Sequence, residues 1–301
     1  MRWLALQLVV LGALAVIAAD LAAHKRVDAL GGLNIRGYRG PVAPQRQPNE
    51  LRVVLVGGTR AFGWGEPASG TTVQAVRFEL SRVLDRPNRP LQPIVAINLG
   101  QLGASTDSYV QTLEHFSYLA PDYIVIFDDL GDAGPNRPFD VSGIFALTGY
   151  HPMLPLVLQE KGRVTSSRLL GAPLEYCGDA LAFLDRVLAR VAGAVSNVAP
   201  SSGSYASSMM SAIAEAHARA RGVIVALAPI DTDAQRRNFE ALDARLGEVR
   251  DAPWLRVVSL SDESDLYDPS LRLDGFSFGA SATAVASQAI APALLQLVRG
   301  G

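Results

Sequence analysis

Residues 51–65 read LRVVLVGGTRAFGWG, and the fold turns on them. Leu51, Val53, Val54, Leu55 and Val56 make a nearly continuous apolar run rich in β-branched residues. Such a run suits a central parallel strand covered on both faces. Gly57 and Gly58 end it and are expected to allow backbone angles that a side chain would oppose. Thr59 follows at the carboxyl end of the strand, where open α/β sheets place their ligand sites. Phe62 and Trp64, just beyond, are expected to pack against the sheet.

Outward from this stretch the pattern alternates. Strand patterns fall at 52–56, 94–98, 123–127, 223–228 and 256–260. Helical patterns fall at 72–84, 108–119, 180–194, 206–221, 233–248 and 281–298. In the last of these Ala284, Ala289, Ile290, Leu294, Leu295 and Val298 share one apolar stripe. Strands alternating with helices imply right-handed βαβ crossovers and a parallel sheet, so the expected fold is α/β with three α/β/α layers and about five strands. No internal repeat and no second domain is expected.

Composition bounds the function classes. The 301 residues accommodate one large α/β domain plus an anchor. With 49% hydrophobic and 19% charged residues the chain builds a core and is not a disordered segment. A net charge of −2 gives no electrostatic footprint for nucleic acid. Cys177 is the one cysteine, so no internal disulfide forms and no Cys/His zinc spacing exists. It reads as a small buried apolar group. No cofactor is expected.

The amino terminus is the exception to this globular pattern. Between Trp3 and Ala19 only Gln7 is polar, and after Asp20 the apolar run resumes with Leu21, Ala22 and Ala23. At about 1.5 Å per residue some 20 residues span the roughly 30 Å hydrocarbon core. Residues 1–26 therefore read as a transmembrane anchor that contacts membrane lipid. The alternative is a cleaved signal peptide, since Ala13-Leu14-Ala15 and Val16-Ile17-Ala18 resemble small-residue cleavage sites. Arg2 on one side and His24, Lys25 and Arg26 on the other nearly balance, so charge does not set the topology. Residues 27–50 read as an extended linker, and 51–301 as the folded domain. An insertion at 134–176 breaks the rhythm with five prolines and apolar residues such as Phe139, Ile144, Phe145, Met153 and Leu156. It reads either as an extra helix completing the core or as a partner-binding or lipid-facing surface.

Several blocks in order resemble the SGNH (GDSL-type) hydrolases over about residues 34–297. Asn34-Ile-Arg-Gly-Tyr-Arg-Gly-Pro41 is similar to the NxxGxRGP lead-in of membrane-anchored members. Leu55-Val-Gly-Gly-Thr-Arg-Ala-Phe-Gly-Trp-Gly65 resembles the first family block, LGDSxxFGxG. Ile97-Asn-Leu-Gly-Gln-Leu-Gly103 resembles the second, and Pro121-Asp-Tyr-Ile-Val-Ile-Phe-Asp-Asp-Leu-Gly-Asp132 the third, PDxVVxxxGxND. Leu273-Asp-Gly-Phe-Ser277 resembles the last, DGxH, ahead of a carboxyl-terminal helix. The resemblance implies a flavodoxin-like sheet in strand order 2-1-3-4-5.

It also implies a site, and here the chain departs from the family. The family's chemistry needs a serine nucleophile, glycine and asparagine oxyanion donors, and a histidine base oriented by an aspartate. The nucleophile position falls on Thr59, the oxyanion glycine on Gly103, the oxyanion asparagine on Gly131, the aspartate on Asp274 and the base on Ser277. Gly103 and Asp274 are kept; the other three lack the required group. A threonine hydroxyl is a weak nucleophile without a base, Ser277 cannot act as one near neutral pH, and losing one oxyanion donor costs about 10²–10³ in rate. Such groups act as a unit, so the expectation is a silent site.

Four histidines are present; His24 adjoins the anchor, His115 and His217 lie on helices, and only His151, in the insertion, has a place from which to fold over the site, while the expected reading of each is a surface or half-buried histidine. Asp128, Asp129, Asp132 and Asp231 gather at one sheet edge and are candidate ligands for a hard cation, against the plainer reading of loop and N-cap aspartates. Asp231 and Asp233 suit the capping role.

Two functions are carried forward. One is a non-catalytic, membrane-anchored SGNH-like domain that binds protein partners in a membrane or envelope complex. The other is an esterase, O-acetyltransferase or glycan-binding protein acting on envelope polysaccharide. The expected location is a bacterial inner membrane, single-pass, with a periplasmic domain.

Overall fold

The computed structural model describes residues 2–28, 32–63, 66–84, 92–101, 104–131, 150–152, 154, 204–271 and 279–300. Trp64, Gly103, Asp132, Cys177, Asp274 and Ser277 lie outside the described residues, as do the helix expected over 180–194 and most of the insertion. The chain divides into two compact units: Met1–Gly37 with Val141–Asn197, and Tyr38–Asp140 with Val198–Gly301.

The larger unit is built on five parallel strands: β1 (Leu51–Gly57), β2 (Ile94–Asn98), β3 (Tyr123–Asp128), β4 (Gly222–Leu227) and β5 (Leu255–Ser259). They lie in the order β2-β1-β3-β4-β5, the order that the SGNH resemblance implies. Register is set by pairs such as Val54↔Ile97, Val54↔Ile124, Ile124↔Val223 and Val223↔Leu255. All residues of β1, β3 and β4 are buried, while β2 and β5 at the edges are mostly half-buried. That gradient is why the central strands read as unbroken apolar runs, since a strand covered on both faces has no polar side to show.

The helices of this unit are α2 (Thr59–Phe62), α3 (Thr72–Leu84), α4 (Thr106–His115), α5 (Tyr205–Arg219), α6 (Asp233–Leu246) and α7 (Ala280–Gly300). On one face α3 and α7 pack together over Val53, Leu55, Val125, Phe127, Ile224 and Ala226, contributing Val73, Val76, Leu80, Ile290 and Leu294. On the other face α4, α5 and α6 pack in sequence. Three layers result. Burying each Leu, Ile or Val side chain contributes about 1.5–3 kcal/mol before the chain entropy is charged against it.

The stretch expected as a linker is partly built into this unit. Tyr38, Arg39 and Glu50 are buried. Arg39 donates from its backbone to Asn98 O at 3.0 Å, and its guanidinium donates to the carbonyls of Phe62, Gly63 and Glu66. Arg46 meets Asp122 with two bonds, 2.7 and 2.8 Å, at the amino edge of the sheet.

The smaller unit contains α1 (Arg2–Asp28). Its side chains from Leu6 to Leu21 are exposed apart from Asp20. The window Leu6–Lys25 has a mean hydropathy of 2.2 and the length to cross a membrane.

Candidate functional site

The carboxyl edge of β1 enters a tight turn into α2, and Gly57 makes the turn possible for a reason of space. A Cβ there would lie 2.1 Å from Phe127 O and 2.5 Å from Ala61 Cβ. Neither Gly57 nor Gly58 is among the positive-φ glycines, and Gly58 has φ −84° and ψ −148°. The expectation of unusual backbone angles is therefore corrected: the turn demands close approach. Asn98 holds the turn from β2, donating to Ala61 O at 2.9 Å and accepting from Gly100 N at 2.8 Å. Thr59, the family's nucleophile position, is half-buried at the first position of α2. Phe62 is buried, with the Arg39 guanidinium 4.8 Å from its ring centre.

The next residue carries the strongest charge of the site. Arg60 is 1% exposed, with Nη2 3.1 Å from Asp231 Oδ2 and Nε 3.7 Å from Asp129 Oδ1. Asp129 is as buried as Arg60, whereas the Asp231 side chain is about a quarter exposed. A buried guanidinium is tolerated because acids surround it; removing either side leaves an uncompensated charge. Two of the four aspartates read as candidate cation ligands are thus turned to a cation that the chain itself supplies. Among the described residues no group of three or more acidic, His or Cys side chains is arranged to hold a metal ion.

Asp128 faces a different set of partners. Its carboxylate accepts from Tyr109 Oη at 2.9 Å, from Leu130 N at 2.7 Å and from the Tyr205 hydroxyl. Burial pushes its carboxyl above the usual range, against the pull of these donors and of Arg60. Burial and the Asp128 charge push both tyrosine hydroxyls well up.

Beyond β3 the backbone takes two left-handed residues in a row, Leu130 (φ 57°) and Gly131 (φ 80°). Asn238 on α6 donates from Nδ2 to Leu130 O at 2.8 Å. A Cβ on Gly131 would lie 2.6 Å from that same Nδ2. At the position where the family carries its oxyanion asparagine, Gly131 has no side chain to donate, and the Asn238 amide lies beside it. The helix carrying Asn238 begins with a capping box: Thr232 accepts from Gln235 N, and Gln235 Oε1 accepts from Thr232 N at 3.0 Å. Thr232, not Asp231, is the cap; Asp231 instead reaches Arg60 while its backbone N–H donates to Gln235 Oε1 at 2.7 Å. Gln235 Nε2 donates to Asp129 O at 3.2 Å, tying α6 to the end of β3.

The structure brings Thr59, Asp128, Asp129, Gly131 and Asp231 to one edge. Gly103, Asp132, Asp274 and Ser277 fall outside the described residues. His115 ends α4 against Phe116, and His217 lies in the last turn of α5 stacked on Trp254 at 3.8 Å; both positions lead into strand starts, at the amino edge. Neither is placed to serve Thr59. His151 belongs to the smaller unit, its ring packed near Gly37. Sequence reasoning missed Arg60, Tyr109, Tyr205 and Asn238. Arg60 was findable, since a cation inside a run expected to be buried needs an acid beside it.

No protein-family model matches the chain, and no curated protein does. Among solved structures it is similar to a catalytic mutant of an acetylxylan esterase from Geobacillus stearothermophilus, at 13% identity and TM-score 0.43 over 82% of this chain and 94% of that one. It is similar to a family 3 carbohydrate esterase from Talaromyces cellulolyticus, at 13% identity and TM-score 0.42 over 83% and 99%. A family 3 carbohydrate esterase of Clostridium thermocellum is similar at 12% identity and TM-score 0.43, over 84% and 100%.

Proposed function

We propose that this chain is a non-catalytic SGNH-like domain, anchored by α1 in a bacterial inner membrane, that serves as a structural or interaction subunit of a membrane or envelope complex. The observation that carries the reading is at Gly131. Glycine has no side chain to donate, and the Asn238 amide lies where one would begin, so the oxyanion donor that the resemblance calls for is missing. Thr59 has no serine's freedom at the same turn, and its neighbour Arg60 is tied to Asp129 and Asp231 in buried ion pairs.

The exposed apolar side of α1 offers a surface to lipid, and the 134–176 insertion, apolar in sequence, is the segment proposed to meet a partner protein. The test is purification of the tagged full chain from host membranes in mild detergent, with co-purifying chains identified by mass spectrometry. A fixed-stoichiometry assembly is the expected result. In parallel, the purified protein is expected not to hydrolyse an activated acetyl ester. Hydrolysis abolished by Thr59→Ala would overturn the reading in favour of an esterase or O-acetyltransferase of envelope polysaccharide, and glycan-dependent thermal stabilisation would favour a sugar-binding cleft.

A further inference from the structure

Three arginines lie together at the amino edge of the sheet, away from the edge that carries Thr59. Arg46, Arg219 and Arg221 line an open cavity of about 520 Å³ with Asp122 and small residues such as Ala120 and Ala218. Local backbone geometry puts them there. Before β3 the chain passes through a left-handed residue, Ala120 (φ 46°), and Arg46 Nη1 donates to its carbonyl. Across the cavity α5 ends at Arg219, and Arg221 N donates to Asp122 O at 2.9 Å, which ties the start of β4 to the start of β3. Open α/β sheets place their usual ligands at the other edge, so this cavity owes nothing to the hydrolase positions.

The charges around it do not balance. The Asp122 side chain is 4% exposed, and its oxygens accept from Arg46 Nη2 at 2.7 and 2.8 Å and from Arg52 N at 2.9 Å. Arg221 Nε stands 3.7 Å from Oδ1, the oxygen that Arg46 already holds, too far for a hydrogen bond. Arg219 pairs with Glu215 one turn back on α5, and Arg52 pairs with Glu50. Among the described residues Arg46 and Arg221 thus share one carboxylate, and the Arg221 side chain is 77% exposed. The carboxyl end of α5 contributes roughly half a negative charge, which helps to seat arginines beside it and leaves the pair short of a full counter-charge. Two guanidiniums that meet at one oxygen suit a phosphate group, which accepts from several donors at once. The alanines beside them leave room for it to approach.

We propose that this cavity binds a phosphate group between Arg46 and Arg221, with Asp122 as the buried brace that aims the two guanidiniums. The group is supplied by free phosphate or by the phosphodiester of a lipid headgroup, and the chemistry that recognises it is the same.

The test is calorimetric titration of the full chain, in neutral detergent, with inorganic phosphate against sodium chloride of matched ionic strength. The expected result is saturable binding in the millimolar range, weakened about tenfold in Arg221→Gln. That variant gives up only a long contact to Asp122, so its thermal midpoint without phosphate is expected to match the parent's. Arg237→Gln removes the same charge at an exposed position on α6 outside the cavity and is expected to bind as the parent does. Glycerophosphoglycerol, the headgroup of phosphatidylglycerol without its acyl chains, separates the sources. Tighter binding than inorganic phosphate supports the cavity as a lipid-headgroup site, and weaker binding supports it as a site for free phosphate. No saturation beyond the chloride control, or an affinity that Arg221→Gln leaves unchanged, would overturn the proposal. Equal losses in Arg221→Gln and Arg237→Gln would overturn it too, since they would mean diffuse charge attraction in place of a site.

Discussion

Among the described residues two helices are long and apolar enough to cross a membrane, and they solve opposite problems. Leu6–Lys25 in α1 has a mean hydropathy of 2.2 and 6% of the window buried; Ala280–Gly300, the whole of α7, has 1.3 and 50%. In α7 the buried residues include Ala282, Ala286, Ile290, Leu294 and Leu297 together with Thr283 and Ser287, and polar residues such as Gln296 lie on the open side. In α1 the residues from Leu6 to Leu21 are exposed apart from Asp20, and the buried pair is Asp20 and His24. Hydropathy alone does not separate these two helices. The side on which apolar residues lie does: α7 turns a stripe of them to the sheet, and α1 shows them outward along most of its length.

Among the described residues the larger unit buries Arg39, Arg52 and Arg60, and the sharpest way to break the comparison is to remove the one held between aspartates at the carboxyl edge. Arg60→Met strands Asp129 beneath it and is expected to cost the larger unit about 3–5 kcal/mol in chemical denaturation. If Arg60→Met is neutral or stabilising, the pairs with Asp129 and Asp231 are dispensable and the site is looser than its geometry. Next in size, Leu294→Ala is expected to cost about 2–5 kcal/mol by creating a cavity under α7, where Leu14→Ala in α1 should leave the larger unit within about 0.5 kcal/mol of its parent. Equal losses in the two variants would erase the distinction between the helices.

A third variant works on α1 alone. Leu14→Lys is expected to raise the cost of membrane insertion by roughly 2.5–3.5 kcal/mol, read as a shift from the membrane to the soluble fraction. No shift would mean that α1 does not lie in lipid. The smallest expected effect is a titration. Asp128 has its carboxyl raised in the folded state, so the stability that this group contributes is full below its unfolded value and is lost as pH rises through the folded one. Tyr205 donates to the ionised form and holds that value down, so Tyr205→Phe should move the infrared band of the protonated carboxyl to persist at higher pH. An unmoved band would mean that the Tyr205 hydroxyl is not what Asp128 answers to.

Much of the sheet is legible before any coordinates, because β1, β3 and β4 are buried on both faces and a residue there has little choice but to be apolar. The expected strands fall within one residue of those observed at β1, β2 and β3. The described helices are legible to within two residues at their ends except α4, which ends at His115 and not at 119, since amphipathic periodicity fades where caps and turns take over. The cap of α6 shows the limit: two aspartates flank Thr232, and choosing among three good cappers depends on which side chain Arg60 draws away. The site was legible as a set of positions but not as an arrangement. Thr59 and Gly131 follow from motif order. Asn238 does not, because its partner is a backbone carbonyl more than 100 residues earlier, and carbonyls leave no trace in a sequence. The contacts of His24 were hidden for a similar reason, since two of its partners are the carbonyls of Leu33 and His151.

The glycine at 131 has one more consequence, for substitution. Leu130 and Gly131 both take left-handed angles, and a β-carbon on Gly131 would come 2.6 Å from the Asn238 amide, so any side chain placed there first makes that amide swing away from Leu130 O. The turn is thus held from the side of α6 by a side chain that can move, and asparagine, which accepts such angles more readily than most residues, is the exchange the turn resists least.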